Sequence, residues 1–193
     1  MIEAINKFDH QLFLLIHQWR NLFLDETMPF ITSKWIWIPL YAILIYLIWK
    51  RFGNQTLTII ITISVLILLS DQTSNLIKNE VARLRPCHDP NLQQLITTPA
   101  GCGGFYGFVS AHAANSFALA TFLFLLSSAQ KGFSNVKKRG VWALLFPWAL
   151  LICWSRIYVG VHFPFDLLGG CLVGAFYACM LYMIYQKVPK VLK

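Results

Sequence analysis

Residues 57–78 read LTIIITISVLILLSDQTSNLIK, an apolar run that closes on Asp71, Asn75 and Lys78. No charge interrupts it between Leu57 and Ser70. A bilayer core takes roughly 20 helical residues, so Leu57–Ile77 is a candidate membrane span. Asp71, Asn75 and Lys78 fall at i, i+4 and i+7, one face of a helix. An ionisable side chain at membrane depth costs about 2.5–3.5 kcal/mol on insertion scales, so such a face turns inward. Asp71 and Asn75 read as supports for Lys78. A role confined to holding helices together is the plainer alternative.

Four further runs flank this one: Trp35–Trp49, Val109–Ser128, Val141–Trp154 and Pro164–Tyr185. Together they raise the hydrophobic fraction to 57% and leave only 12% charged residues, about half of what a soluble domain carries. Mean hydropathy is +0.58. The expectation is an all-α, polytopic membrane helix bundle with about five transmembrane helices. Residues 1–193 read as one domain. At its start, Ile5, Phe8, Leu12, Leu15, Trp19 and Leu22 recur at three- and four-residue spacing, interspersed with Glu3, Lys7, Asp9 and His10. That pattern predicts an amphipathic helix over residues 1–24, lying at the membrane interface. No basic segment leads into an apolar core and a cleavage site, as a signal peptide requires.

The net charge of +8 follows from topology. With five spans, the 50–55 turn, the 129–140 loop and the C-terminal tail share one side. There lie Lys50, Arg51, Lys131, Lys137, Lys138, Arg139, Lys187, Lys190 and Lys193, with no acid among them. Excess Lys and Arg mark the cytoplasmic face, which puts the 86–108 loop outside, on the periplasmic side. No basic stripe interleaves with aromatics on an exposed domain, so a nucleic-acid partner is not implied. No obligate protein partner is evident either.

Three polar clusters map to the outer half. Lys78 ends the second span and Arg85-Pro86 follows it. Ser110-Ala111-His112 opens the third span. Arg156 closes the fourth, and His162 with Asp166 opens the fifth. The set offers three cations, a hydroxyl, two imidazoles and a carboxylate. Metal acceptors are scarce in it and phosphate donors plentiful, so it suits a phosphoryl group attacked by a histidine, without metal or other cofactor. Ser110-Ala111-His112 falls where free N–H groups and the helix dipole favour an anion. Pro164 fits the first turn of the last helix. Asp166, four residues past His162, is placed to hold one ring nitrogen and leave the other neutral and nucleophilic. Arg85 and Arg156 can grip phosphate oxygens in bidentate fashion, and Lys78 adds a point charge. A helix-end hydrogen bond is the plain reading of any single His four residues before an Asp. His10 and His17 read as interfacial side chains, and His88 has no assigned role.

Cys153, Cys171 and Cys179 lie in spans and read as buried thiols. Cys87 and Cys102 share the outer loop, where an oxidising compartment permits a bridge. It would close a loop of about 15 residues, worth up to ~3 kcal/mol in the chain-entropy model. A metal pair, with only His88 and Asp89 nearby, is the weaker alternative. Gly170 and Gly174 form a small-xxx-small pair on the last span, read as packing within the chain.

The three clusters resemble the type 2 phosphatidic acid phosphatases, membrane relatives of the vanadium haloperoxidases. That family carries K-x6-R-P, then P-S-G-H, then S-R-x5-H-x3-D. The first and third match here at every fixed position, through Lys78, Arg85, Pro86, Ser155, Arg156, His162 and Asp166. In the second, Val109 replaces the proline and Ala111 the glycine, while Ser110 and His112 remain. The resemblance implies a helical membrane phosphatase without a metal. By analogy His162 forms a phosphohistidine, Asp166 orients it, and His112 protonates the leaving oxygen and then activates water. Lys78, Arg85, Ser110, Arg156 and the Ala111 N–H would hold the phosphate. A site at the membrane face between spans favours a lipid phosphate as substrate. Undecaprenyl pyrophosphate stands slightly ahead of lipid A 1-phosphate, with phosphatidylglycerophosphate and phosphatidic acid as further candidates. A carrier or anionic-lipid-binding scaffold would use the cations but has no need of the His162–Asp166 pair.

Overall fold

In the computed structural model, residues 2–128, 140 and 142–188 are described. Lys131, Lys137, Lys138, Arg139, Lys190 and Lys193, on which the charge reading partly rests, lie outside them. The described residues form helices α1 (Ile2–His17), α2 (Leu22–Thr32), α3 (Ile38–Phe52), α4 (Thr56–Val81), α5 (Ala111–Ser128), α6 (Leu145–Tyr158) and α7 (Pro164–Lys187). Among them β-pairing is limited to one isolated bridge, Leu84 to Tyr106. The protein is a polytopic helical membrane bundle.

Lys34–Val81, Ala111–Ser128 and Pro164–Lys187 each have the length and apolarity to cross a membrane. A short turn at Gly53–Gln55 divides the first of these into α3 and α4. α6 is apolar but only 14 residues long, and with it the helices correspond to the five anticipated spans. The outward faces remain apolar, as lipid demands: Ile45, Trp49, Ile61, Leu68, Leu172 and Phe176 are all exposed.

α5 is the central helix, with Ala113, Ala114, Ala118 and Ala120 fully buried. Its small residues admit α7 at close range. A Cβ on Gly174 would lie 2.1 Å from the Ala114 carbonyl oxygen, and one on Gly170 would lie 2.4 Å from that of Ser110. The glycine pair therefore packs within the chain, as small residues in membrane helices do. At the far end, Tyr185 donates to Gln55 Oε1 at 3.0 Å. The α3–α4 turn, with Lys50 and Arg51 just before it, and the end of α7, with Lys187, thus share one face.

The N-terminal segment departs from the anticipated 1–24 helix. α1 stops at His17, and α2 starts at Leu22 behind Asn21, whose Oδ1 accepts the Leu24 N–H at 2.9 Å. An Asn side chain that satisfies a free N–H begins a new helix, a stronger local signal than the continuing apolar spacing. The apolar stripe of α1 does face outward, with Ile5, Phe8 and Leu15 exposed. Its opposite edge, Asp9, Phe13 and His17, is buried against the bundle.

Candidate active site

The loop after α4 begins the site. Its two ends run antiparallel, with Arg85 N–H donating to Phe105 O and Gly107 N–H to Arg83 O, each at 2.9 Å. A disulfide joins Cys87 to Cys102, with Cα atoms 5.9 Å apart. The loop holds Arg85 through its side chain as well: Nε donates to Tyr106 O at 3.1 Å and Nη1 to Cys102 O at 2.9 Å. With its position fixed by carbonyls, this guanidinium loses little freedom on meeting an anion.

α7 supplies the next part. Pro164 opens it, and Asp166 in its first turn accepts the Phe163 N–H on Oδ2 at 3.0 Å. The same oxygen accepts His162 Nδ1–H at 3.3 Å. His162 and Asp166 are both buried. That bond fixes the ring tautomer and leaves Nε2 as the free nitrogen. The backbone ties α5 to the same turn, since Ser110 N–H donates to Asp166 O at 2.9 Å.

Arg156, near the end of α6, donates through Nη1 to Thr32 Oγ1 of α2. Lys78, Asn75 and Asp71 form a file along α4. Lys78 Nζ donates to Asn75 Oδ1 at 3.4 Å, and Asn75 Nδ2 donates to Asp71 Oδ2 at 3.1 Å. Asn115 of α5 meets the other oxygen of Asp71 at 3.4 Å. The side chains at the anticipated positions are thus physically continuous along this helix face.

One cavity of about 640 Å³ gathers these groups. Lys78, Arg85, Ala111, His112, Arg156 and His162 line it, together with Asp71. Away from them its wall is mostly apolar, through Leu44, Ile48, Ile63, Ile67, Leu119 and Trp148 of α3, α4, α5 and α6, with Lys34, Ser64, Asn115 and Ser116 among its further polar members. Ser110 Oγ and Arg156 Nε are buried without a hydrogen-bond partner among the described residues. Buried polar atoms are rarely left so, and here both belong to a strongly cationic cluster. Asp166 stands behind His162, and Asn75 beside Lys78. The cluster can accept a tetrahedral dianion and present one neutral imidazole nitrogen to it.

Two residues next to this cluster were not among the anticipated ones. Arg83 donates through Nη1 to Asp166 Oδ1 at 2.8 Å and through Nη2 to Asp9 Oδ2 at 2.7 Å. Asp9 also accepts the Phe165 N–H at 3.0 Å. Burial pushes the Asp9 carboxyl above its ordinary range, against the opposing pull of Arg83 and the Phe165 N–H. Arg83 lies two residues before Arg85, in a stretch whose other two cations, Lys78 and Arg85, are motif positions. Its partners are 74 and 83 residues away, so no local spacing marks it. His10 and His17 have specific partners too. His10 Nε2 meets Asp89 Oδ2 at 2.9 Å, and His17 Nε2 accepts the Thr97 N–H at 3.3 Å. Cys87, His88 and Cys102 also lie within reach of one another, with the two sulfurs joined to each other.

A helical membrane enzyme with a phosphoryl-handling site is the class that this fold and cavity define. The sequence profile of the PAP2 superfamily matches residues 56–190, and the chain belongs to that superfamily. It is a phosphatase. Among curated relatives it is 35% identical to a lipid A 4'-phosphatase of Bacteroides thetaiotaomicron, over 97% of this chain and 81% of the relative. An undecaprenyl-diphosphatase of Sulfolobus acidocaldarius is 29% identical over 94% and 81%. The fold matches that of a transmembrane PAP2-type phosphatidylglycerolphosphate phosphatase from Bacillus subtilis, with a TM-score of 0.72 at 21% identity, covering 98% of this chain and 90% of the other. LpxE of Aquifex aeolicus gives a TM-score of 0.65 at 24% identity, covering 90% and 93%.

Proposed function

We propose that this protein hydrolyses a phosphate ester of a membrane lipid through a phosphohistidine on His162, at the outer face of a bacterial inner membrane. The observation that carries the reading is the lining of the cavity. Four cations, Lys34, Lys78, Arg85 and Arg156, and two imidazoles line it together with hydrocarbon side chains of α3 to α6, a make-up that fits a phosphorylated headgroup joined to an apolar tail.

Catalysis begins with the lone pair of His162 Nε2 forming a bond to phosphorus. The ester P–O bond breaks, its electron pair goes to the leaving oxygen, and His112 supplies the proton. Water then attacks phosphorus, His112 takes its proton, and the N–P bond breaks to release inorganic phosphate. Asp166 holds the His162 ring and stabilises the positive charge it acquires on attack. Lys78, Arg85 and Arg156 face the equatorial oxygens, where charge accumulates. Ser110 Oγ–H, Arg156 Nε–H and the Ala111 N–H are the remaining donors, and an anion in the cluster would satisfy the first two. These side chains supply charge stabilisation and a nucleophile without calling for a metal ion.

For the substrate, similarity to the Bacteroides lipid A 4'-phosphatase, and to a second one from Porphyromonas gingivalis at 33% identity over 95% of this chain, favours a lipid A phosphomonoester. Undecaprenyl diphosphate is the second reading, supported by the Sulfolobus relative. Phosphate release by purified full-length protein, in detergent with chelator, decides between them. The panel is lipid A bisphosphate, undecaprenyl diphosphate, phosphatidylglycerophosphate and phosphatidic acid, each beside His162→Ala. Release from lipid A, abolished in the variant, is the expected result. Turnover that survives His162→Ala would remove the nucleophile assignment. A carrier or scaffold would release no phosphate from any of the four.

A further inference from the structure

Asp9 is a fully buried carboxylate that the chemistry above leaves unused. It sits on α1, outside the stretch matched by the superfamily profile. Both its oxygens are engaged, Oδ1 by the Phe165 N–H at 3.0 Å and Oδ2 by Arg83 Nη2 at 2.7 Å. Arg83 gives its other terminal nitrogen to Asp166 Oδ1 at 2.8 Å and lies 4.3 Å over the Phe163 ring. A single rigid fork therefore joins a carboxylate of the interfacial helix to the one that holds His162. A guanidinium shared between two anions places less net positive charge on Asp166 than one bound to Asp166 alone. Asp166 thereby stays a strong acceptor for His162 Nδ1–H.

We propose that Asp9 and Arg83 are positioning residues of the phosphatase reaction, setting the orientation and charge of Asp166 and so coupling the seating of α1 to the alignment of His162. This rests on the phosphatase reading above. Phe13 and His17 also dock α1, through apolar and neutral contacts, so docking and electrostatics can be varied separately. Asp166 is faced by Asp9 from α1, Lys78 from α4, Arg83 and Arg85 from the following loop and His162 from the turn before α7, while Arg156 of α6 acts on His162 and His10 of α1 packs on Phe163. Removing charge at Asp9 or at Arg83 perturbs this set in opposite directions.

The test is the pH profile of kcat and KM for full-length protein in lipid nanodiscs, on the best substrate of the four-lipid panel. Asp9→Asn is expected to lower kcat on the order of tenfold with KM little changed, the scale on which outer partners of a functional group act. Its acid limb moves to lower pH, because a negative charge has gone. In Arg83→Gln the limb moves to higher pH, because a positive charge has gone. Asp9→Glu restores most of kcat, and Phe13→Ala lowers Tm without moving the limb. If Asp9→Asn does not fold, Arg83→Lys carries the test: a fall in kcat at constant KM supports the proposal, and unchanged kinetics overturn it. Limbs that stay put or move together also overturn it, as does a Phe13→Ala profile that matches Asp9→Asn. Wild-type protein that releases phosphate from none of the four lipids overturns the phosphatase reading and this proposal with it. An active wild type with an unaltered Asp9→Asn overturns this proposal alone.

Discussion

Asp166 combines three contacts in one carboxylate: the cap on α7, the acceptor for His162 and the partner of Arg83. Its socket leaves no spare room. A Cβ on Gly107 would lie 2.7 Å from Asp166 Oδ2, well inside contact distance, so Gly107→Ala must push the carboxylate or its loop aside. Misplacement of a catalytic group by about an ångström can cost up to ~100-fold in rate. We expect Gly107→Ala to lower kcat by about 10- to 100-fold, with a much smaller change in Tm. A variant with wild-type kcat would show that the carboxylate has slack. The His162–Asp166 pair was legible in the sequence because a spacing of four on a helix entry is a local relation. Arg83, Asp9 and Gly107 were not, since each matters only through a partner that folding brings from far along the chain.

At the scale of elements, the central helices were legible from hydropathy to within a few residues. α1 and α2 were less so, because apolar spacing runs on through the break that Asn21 caps. The buried edge of α1 carries His17, which Thr97 and the Ile157 carbonyl engage. Burial pushes the His17 imidazole below its ordinary value. The folded protein therefore binds fewer protons here than the unfolded chain once pH falls below about 6.5, and stability is lost in that direction. We expect Tm to decline from pH 7 to pH 5, and His17→Gln to flatten that decline. An equal slope in the variant would assign the acid sensitivity to other groups.

Across the whole molecule, the proposed catalytic cluster and the basic ends of α3 and α7 occupy opposite ends of the bundle. Reporters inserted at Asn54 and at Ala100 should therefore read from opposite sides of the membrane, cytoplasmic and external respectively. The reverse pair would invert the proposed orientation and place the site on the cytoplasmic face.

Membrane class, helical architecture and the polar groups of the site were determined by the sequence alone. Apolar runs and short spacings act locally, and charges at membrane depth are too costly to be incidental. The shape of the cavity, the close contact of α7 with α5 and the Asp9–Arg83–Asp166 chain were decided only by tertiary structure. Each joins residues whose proximity depends on how helices pack, and no spacing along the chain encodes that distance.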